Sequence, residues 1–438
     1  MSEKPNINVT AKLANLLLDG LNRPTAGRYA VWAALLLRTV WGLLIPVVPI
    51  SDSSAYDVFA QNIASGNGFC FVPGQLTAYW AVGTAAVYSV FFSVFGHHYL
   101  PIVLFNILIG VGTVVIAMSL ARRWFGEPVG VLTGWLLALW PLLIQYTTIL
   151  ASEILFNFCV LMIFWLANIS AWKFLPRAFA TGIALAAASY IRPVALLIAP
   201  IAFLREALIE KKMLKAIASC ALSCIIMIAL ILPWSMRNQY VFGKFALIST
   251  NAGSNFWMGN NPQTTGGYMP LPETGITNEV ERDHYLNKLA WDYIRQDPLA
   301  FALRTVKKAV LLHDRESIGV GWNEKGLVQR FGPWVLAPLK LVSTPYWWLM
   351  LAGGLYGGYT LLRRRSWLDA LTLPPLTMWF YFVAIHSIVV NGDRYHMPSI
   401  PFIAMLAAYG FSHVLNFLVS QEQQIFQSQK LGRPSSSA

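Results

Sequence analysis

Asp52 is the first acid after a long apolar stretch, in the run Val47-Val48-Pro49-Ile50-Ser51-Asp52-Ser53-Ser54-Ala55-Tyr56. A carboxylate where a chain leaves a bilayer has two uses. It can open a helix, since Asp before a Ser pair suits an N-cap, or it can take a proton from a hydroxyl as a general base. Glu153, Arg192, Arg237 and Arg394 recur at comparable exits from later apolar runs. Ionisable groups at that depth are costly and usually functional. Guanidinium groups hold phosphate in bidentate fashion. Together they suit a reaction that needs a base for an incoming hydroxyl and cations for a departing phosphate. Tyr56, Asn255, Trp257, Asn260, Tyr395 and His396 lie in the same exits and loops, with rings and amides suited to a sugar or an acceptor. Plainer roles exist for each charge. Glu153 can start a helix, Arg192 can snorkel, Arg237 can mark the end of a span, and Arg394 can pair with a neighbouring carboxylate. Arg38 falls mid-span and has no role in this reading.

Composition sets the environment. The chain is 56% hydrophobic and 12% charged, with mean hydropathy +0.53, whereas soluble domains carry about 25% charged residues. It reads as an α-helical polytopic membrane protein. The net charge of +12 sits mostly in short loops, the positive-inside pattern rather than a nucleic-acid footprint. Cys159, Cys220 and Cys224 fall in apolar runs and Cys70 stands alone, so no disulfide or zinc spacing is present. His97-His98 reads as interfacial. No Gly-rich phosphate loop follows a strand, which excludes a nucleotide-sugar site of that type.

Apolar runs fall at 29–50, 79–96, 99–121, 130–150, 152–171, 178–204, 216–234, 346–362, 367–390 and 397–419. The 79–96 run is short for a span and is flanked by Tyr79-Trp80 and His97-His98, so it is expected to lie along the interface. Arg122-Arg123, Lys173 with Arg177, the 205–215 cluster and Arg363-Arg364-Arg365 then all face the cytoplasm. The 178–204 run is expected to break at Tyr190-Ile191-Arg192-Pro193. This gives about ten spans and five regions: a cytoplasmic segment 1–28, a transmembrane module 29–234 with a first outer loop at 51–98, an outer region 235–345, C-terminal spans 346–420 and a disordered tail 421–438. Within the outer region, 297–311 reads as an amphipathic surface helix.

The pattern resembles the GT-C glycosyltransferases that use polyprenyl-phosphate sugars, a group with protein O-mannosyltransferases and lipid A aminoarabinose transferases. The resemblance rests on Asp52-Ser-Ser-Ala-Tyr56, Gly66-Asn-Gly68, Arg122-Arg-Trp-Phe-Gly126, Ser152-Glu153-Ile-Leu-Phe156, Tyr190-Ile-Arg-Pro193, Pro233-Trp-Ser-Met-Arg-Asn238, Trp257-Met-Gly-Asn-Asn-Pro262 and Arg394-Tyr-His-Met-Pro398, in that order over most of the chain. Two features depart from it. Ser53 follows Asp52 where many relatives carry a second acid, and Tyr79-Trp80-Ala81-Val82-Gly83 replaces a proline-rich element. A single acid disfavours a divalent metal, so no cofactor is expected.

The resemblance implies a GT-C fold with outer juxtamembrane helices and a large outer loop. It implies an inverting transferase in which Asp52 is the general base, Glu153 orients the acceptor or an arginine, and Arg192, Arg237 and Arg394 hold the donor phosphate. Tyr56, Asn255, Trp257, Asn260, Tyr395 and His396 would bind sugar or acceptor. The expected partners are a polyprenyl-phosphate-linked sugar, membrane lipids and a glycan, lipid or protein acceptor, with no nucleic acid. The expected location is a bacterial inner membrane with the site facing the periplasm. The alternatives are a lipid-linked glycan ligase or polymerase using a diphosphate donor, and a transporter or flippase for a lipid-linked or anionic solute.

Overall fold

The computed structural model describes residues 9–23, 25–169 and 171–431. Each apolar run forms a helix or a broken pair of helices. Four helices are each long and apolar enough to cross a membrane: Leu100–Phe125, Phe174–Ile191, Met213–Phe242 and Met397–Gln421. A fifth span results if Glu127–Ala138 and Pro141–Thr148, bent by 54°, count as one. Ala26–Leu44, Glu153–Ala167, Leu336–Arg364 and Pro374–Ile388 complete the bundle. Among the described residues no strand forms, only an isolated bridge between Cys70 and Leu76. Ile225, Ile228, Leu232 and Met236 on the Met213–Phe242 helix are exposed, as expected of a face turned to lipid tails.

Small residues let the long helices approach. A Cβ on Gly357 of Leu336–Arg364 would lie 1.9 Å from the Leu406 carbonyl oxygen, the close backbone contact that membrane helices use in place of a hydrophobic driving force. Buried Arg38 acquires a role. Its Nη2 donates to the Leu137 carbonyl at 3.1 Å and its Nη1 to that of Ala138 at 3.4 Å, so it satisfies orphan carbonyls where the Glu127–Ala138 helix ends at its bend.

Prolines act unequally. At Pro193 the helix breaks, and Arg192 is extended at φ −145° and ψ 118°, as the residue before proline prefers. At Pro233 and Pro345 the helices continue. The boundaries expected at 234/235 and 345/346 therefore fall inside helices. Beyond Pro233 the helix is anchored by its own side chains: Trp234 Nε1 donates to the Ile248 carbonyl at 2.8 Å, Ser235 Oγ to that of Leu247 at 2.7 Å and Asn238 Nδ2 to that of Ala246 at 3.1 Å. Helix Ile400–Leu431 covers much of the segment expected to be a disordered tail, and 432–438 lie outside the described residues. Helix Val9–Leu21 lies within the expected N-terminal segment.

Gly83–Phe95, at 13 residues, is too short to span and seats on the break in the neighbouring helix. A Cβ on Gly83 would lie 2.6 Å from the Tyr190 carbonyl oxygen. The first outer loop is pinned from above by Glu279, which accepts from Thr77 Oγ1 at 2.6 Å, the Ala78 amide at 3.0 Å and Thr250 Oγ1 at 3.1 Å.

Candidate active site

Asp52 begins the helix Asp52–Ala64. The preceding Ser51 has φ 52° and ψ −131°, a conformation costly for a residue with a Cβ and typical of functional turns. Asp52 caps nothing. Its Oδ2 accepts from Arg394 Nη2, and its Oδ1 has no hydrogen-bond partner among the described residues. Arg394 Nη1 lies 3.7 Å from Glu153 Oε1, and that oxygen accepts from Arg192 Nη2 at 2.5 Å. Arg192 Nε donates to Ser152 Oγ at 2.8 Å. Asp52, Arg394, Glu153 and Arg192 thus form one chain of alternating charge drawn from four distant segments. The Glu153 side chain is wholly buried, while that of Asp52 is 29% exposed.

Burial would lower the pKa of Arg394. The Glu153 and Asp52 carboxylates overcome that and hold it well above the ordinary arginine value. Its guanidinium lies 4.6 Å from the centre of the Trp322 ring and 5.6 Å from that of Tyr395, within cation–π range. Tyr56 packs against Trp80 with ring centres 5.2 Å apart. Burial and then the Glu153 charge push its hydroxyl up to about 12, so it is a neutral donor at physiological pH.

The turn carrying Arg394 follows the helix Pro374–Ile388 and is held from several sides. Lys308, buried on the helix Pro298–Leu311, donates to the carbonyls of Gly259 at 3.0 Å, Ile388 at 3.1 Å and Val389 at 3.2 Å, and to Asn260 Oδ1 at 3.3 Å. Asn260 Nδ2 donates to the Ile388 carbonyl at 2.8 Å. The Asn391 amide donates to the Gly266 carbonyl at 2.8 Å. His396 Nε2 meets Glu316 Oε1 at 3.1 Å, Trp140 Nε1 donates to both Glu316 oxygens at 3.1 Å, and the His396 ring stacks on Trp347 at 4.3 Å.

These contacts revise several expectations. Asn260 and His396 are completely buried and serve the scaffold. Trp257 packs with Phe256, Met258 and Leu286 in the core of the outer region. The Asn260 amide is committed to backbone carbonyls and the His396 ring to Glu316 and Trp347, while Trp257 is packed in the core with its Nε1 unpartnered. Asn255, on the same short helix as Trp257, is half-buried and makes no side-chain hydrogen bond. Arg237 stands apart from the charged chain. It donates to the Thr77 carbonyl at 2.8 Å and lies over Trp234 at 4.7 Å, so it braces the first outer loop. Tyr56 and Tyr395 adjoin the charged chain. His97 pairs with Asp57 at 2.9 Å. Among the described residues no group of three His, Cys, Asp or Glu side chains is placed to hold a metal. Sequence reasoning gave no site role to Trp322, Lys308 or Glu316, whose partners lie far away in the chain.

The family model described as dolichyl-phosphate-mannose-protein mannosyltransferase matches residues 81–236. That span includes Glu153 and Arg192. No curated protein matches by sequence. Among solved structures, the Archaeoglobus fulgidus oligosaccharyltransferase AglB in complex with an inhibitory peptide and a dolichol-phosphate superposes with TM-score 0.55 at 14% identity, over 94% of this chain and 52% of that one. The Archaeoglobus fulgidus oligosaccharyltransferase complex with zinc and sulfate gives 0.53 at 15% identity, over 91% and 51%. ArnT from Cupriavidus metallidurans bound to undecaprenyl phosphate gives 0.43 at 16% identity, over 91% and 78%. The chain spans about half the length of the oligosaccharyltransferases it matches. The described residues have the all-helical fold of these archaeal oligosaccharyltransferases, with helices long and apolar enough to cross a membrane. The mannosyltransferase model matches about a third of the chain, mostly within its N-terminal half.

Proposed function

We propose that this protein is an inverting membrane glycosyltransferase that moves a sugar from a polyprenyl monophosphate to an acceptor hydroxyl at the outer face of a bacterial inner membrane. The observation that carries the reading is the charge chain Asp52–Arg394–Glu153–Arg192, built around the buried Glu153. Arg394 fixes one oxygen of Asp52, leaving Oδ1 to accept the acceptor's proton. As the acceptor oxygen bonds to the anomeric carbon, the bond from that carbon to the phosphate oxygen breaks. Its electrons leave with the polyprenyl phosphate. Arg192 Nη1, which makes no hydrogen bond among the described residues, and the Arg394 guanidinium meet the growing charge. Such preorganised donors supply the largest share of many rate accelerations. Glu153 holds both arginines at the right spacing. The donor lipid tail lies among the helices, and Tyr56 and Tyr395 border the sugar.

The test presents purified protein with labelled sugar on polyprenyl monophosphate and, separately, on the diphosphate, each with a cell-envelope extract as acceptor source. Transfer from the monophosphate alone is expected. Transfer from the diphosphate alone would favour a lipid-linked glycan ligase. Lipid flipping without transfer would favour a transporter.

A further inference from the structure

The loops at the other end of the bundle converge as well. Arg123 ends the helix Leu100–Phe125, Arg177 opens Phe174–Ile191, Arg205 ends Ile198–Leu208, and Lys212 and Lys215 flank the start of Met213–Phe242. All five cations line one cavity of about 140 Å³, with Trp124 and Trp172 beside them. Arg177 and Arg192 are 15 residues apart on a single helix and its cap, which sets this cavity roughly 22 Å from the active-site end.

The local carboxylates do not use up the positive charge. Asp369 takes Arg205, Glu210 takes Lys212 at 2.8 Å, and Glu206 takes Arg177 at 2.9 Å. Lys215 has only a 3.4 Å contact to the same Glu206, and Arg123 makes no hydrogen bond or ion pair among the described residues. Arg177 is nine-tenths buried, yet its Nε has no partner. A tendency of basic residues to stay in the cytoplasm accounts for surface lysines and arginines. It does not account for five cations gathered around one cavity with three carboxylates to answer them, nor for an unpaired Arg177 Nε buried in the wall of that cavity, a donor whose cost nothing there offsets.

We propose that the cavity between Arg123, Arg177 and Lys215 is a second anion site, on the face opposite Asp52, that binds a phosphate group, fitted to the headgroup of an anionic membrane lipid. Trp172, exposed beside the cavity, suits the aromatic belt of a membrane interface, while Trp124 is packed into the core. The proposal does not depend on the transferase reading, and its test does not read activity.

Delipidated full-length protein in detergent is titrated with phosphatidylglycerol and, separately, with inorganic phosphate, and occupancy is read by native mass spectrometry. The double variant Arg123→Gln, Lys215→Gln is compared with wild type, because Arg177→Gln would strand buried Glu206. Each cation contributes about fivefold, so the variant should bind phosphatidylglycerol about 30-fold more weakly. Binding of phosphatidylglycerol that excess phosphate does not displace assigns the lipid headgroup. Tight binding of inorganic phosphate, lost in the variant, assigns a soluble phosphate source for the same site. Equal binding by wild type and folded variant, or no binding of either probe, overturns the proposal.

Discussion

In the proposed reaction Arg192 has two duties. It neutralises Glu153, whose side chain has no exposure, and it would offer its Nη1 to a phosphate. Arg192→Gln should therefore lower transfer by about 10²–10³-fold, as loss of one preorganised donor does. It should also destabilise the protein by about 3–5 kcal/mol, because a buried carboxylate loses its nearest partner. Adding Glu153→Gln should restore most of the thermal stability but not the activity. Thermal unfolding and transfer rates on the three proteins separate the two duties. At this scale the sequence reveals charge well. Asp52, Glu153, Arg192 and Arg394 could be picked out because each is expensive where it stands. Trp257, Asn260 and His396 prove to be buried, which their local sequence does not signal. An aromatic ring or an amide in a glycine-rich outer segment looks the same whether it meets a sugar or a neighbouring carbonyl. Trp322 beneath Arg394 left no local mark, since its importance is a tertiary contact.

The elements matter through their seams. Gly83 lets the short interfacial helix touch the backbone at Tyr190, two residues from Arg192. Gly83→Ala would force a Cβ to 2.6 Å from that carbonyl. The strain should cost about 1–3 kcal/mol, and a displacement of Arg192 approaching 1 Å should cost about 10²-fold in rate. Melting and transfer assays on the variant check both. The interfacial helix and the break at Arg192 were foreseen from run length and proline, but the glycine contact that joins them was not.

Lys308 is the seam on the other side. Burial, with Arg304 adding, pulls its pKa down from 10.5 to about 8. Below pH 8 both folded and unfolded chains hold the proton, so this group adds no slope. Between about 8 and 10.5 only the unfolded chain holds it, and stability rises with pH across that window. Lys308→Met should abolish that slope and loosen the turn carrying Arg394. Chemical denaturation of both proteins across pH 7–11, in detergent, measures it. A lysine amid carbonyl oxygens could not be told in advance from the surface lysines of an amphipathic helix.

For the whole molecule, the sequence indicated an all-helical membrane bundle, and the superposition on archaeal oligosaccharyltransferases agrees. Region boundaries were less legible, because Pro233 and Pro345 lie within helices that tertiary anchors hold together. The two charged ends of the bundle should face opposite compartments. In intact cells, an impermeant thiol reagent should label Ser65→Cys, on the exposed end of the first outer helix, and should reach Lys211→Cys only after lysis. Labelling of Lys211→Cys in intact cells would invert the topology.

The account turns on Asp52 taking the acceptor's proton beside two arginines. The direct measurement is single-turnover transfer from a labelled polyprenyl-phosphate sugar by Asp52→Asn, with donor binding measured on the same sample. Donor binding should persist and transfer should fall by about 10²–10⁴-fold, the usual contribution of a general base. Transfer above about a tenth of wild type by a folded, donor-binding variant would contradict the role assigned to Asp52.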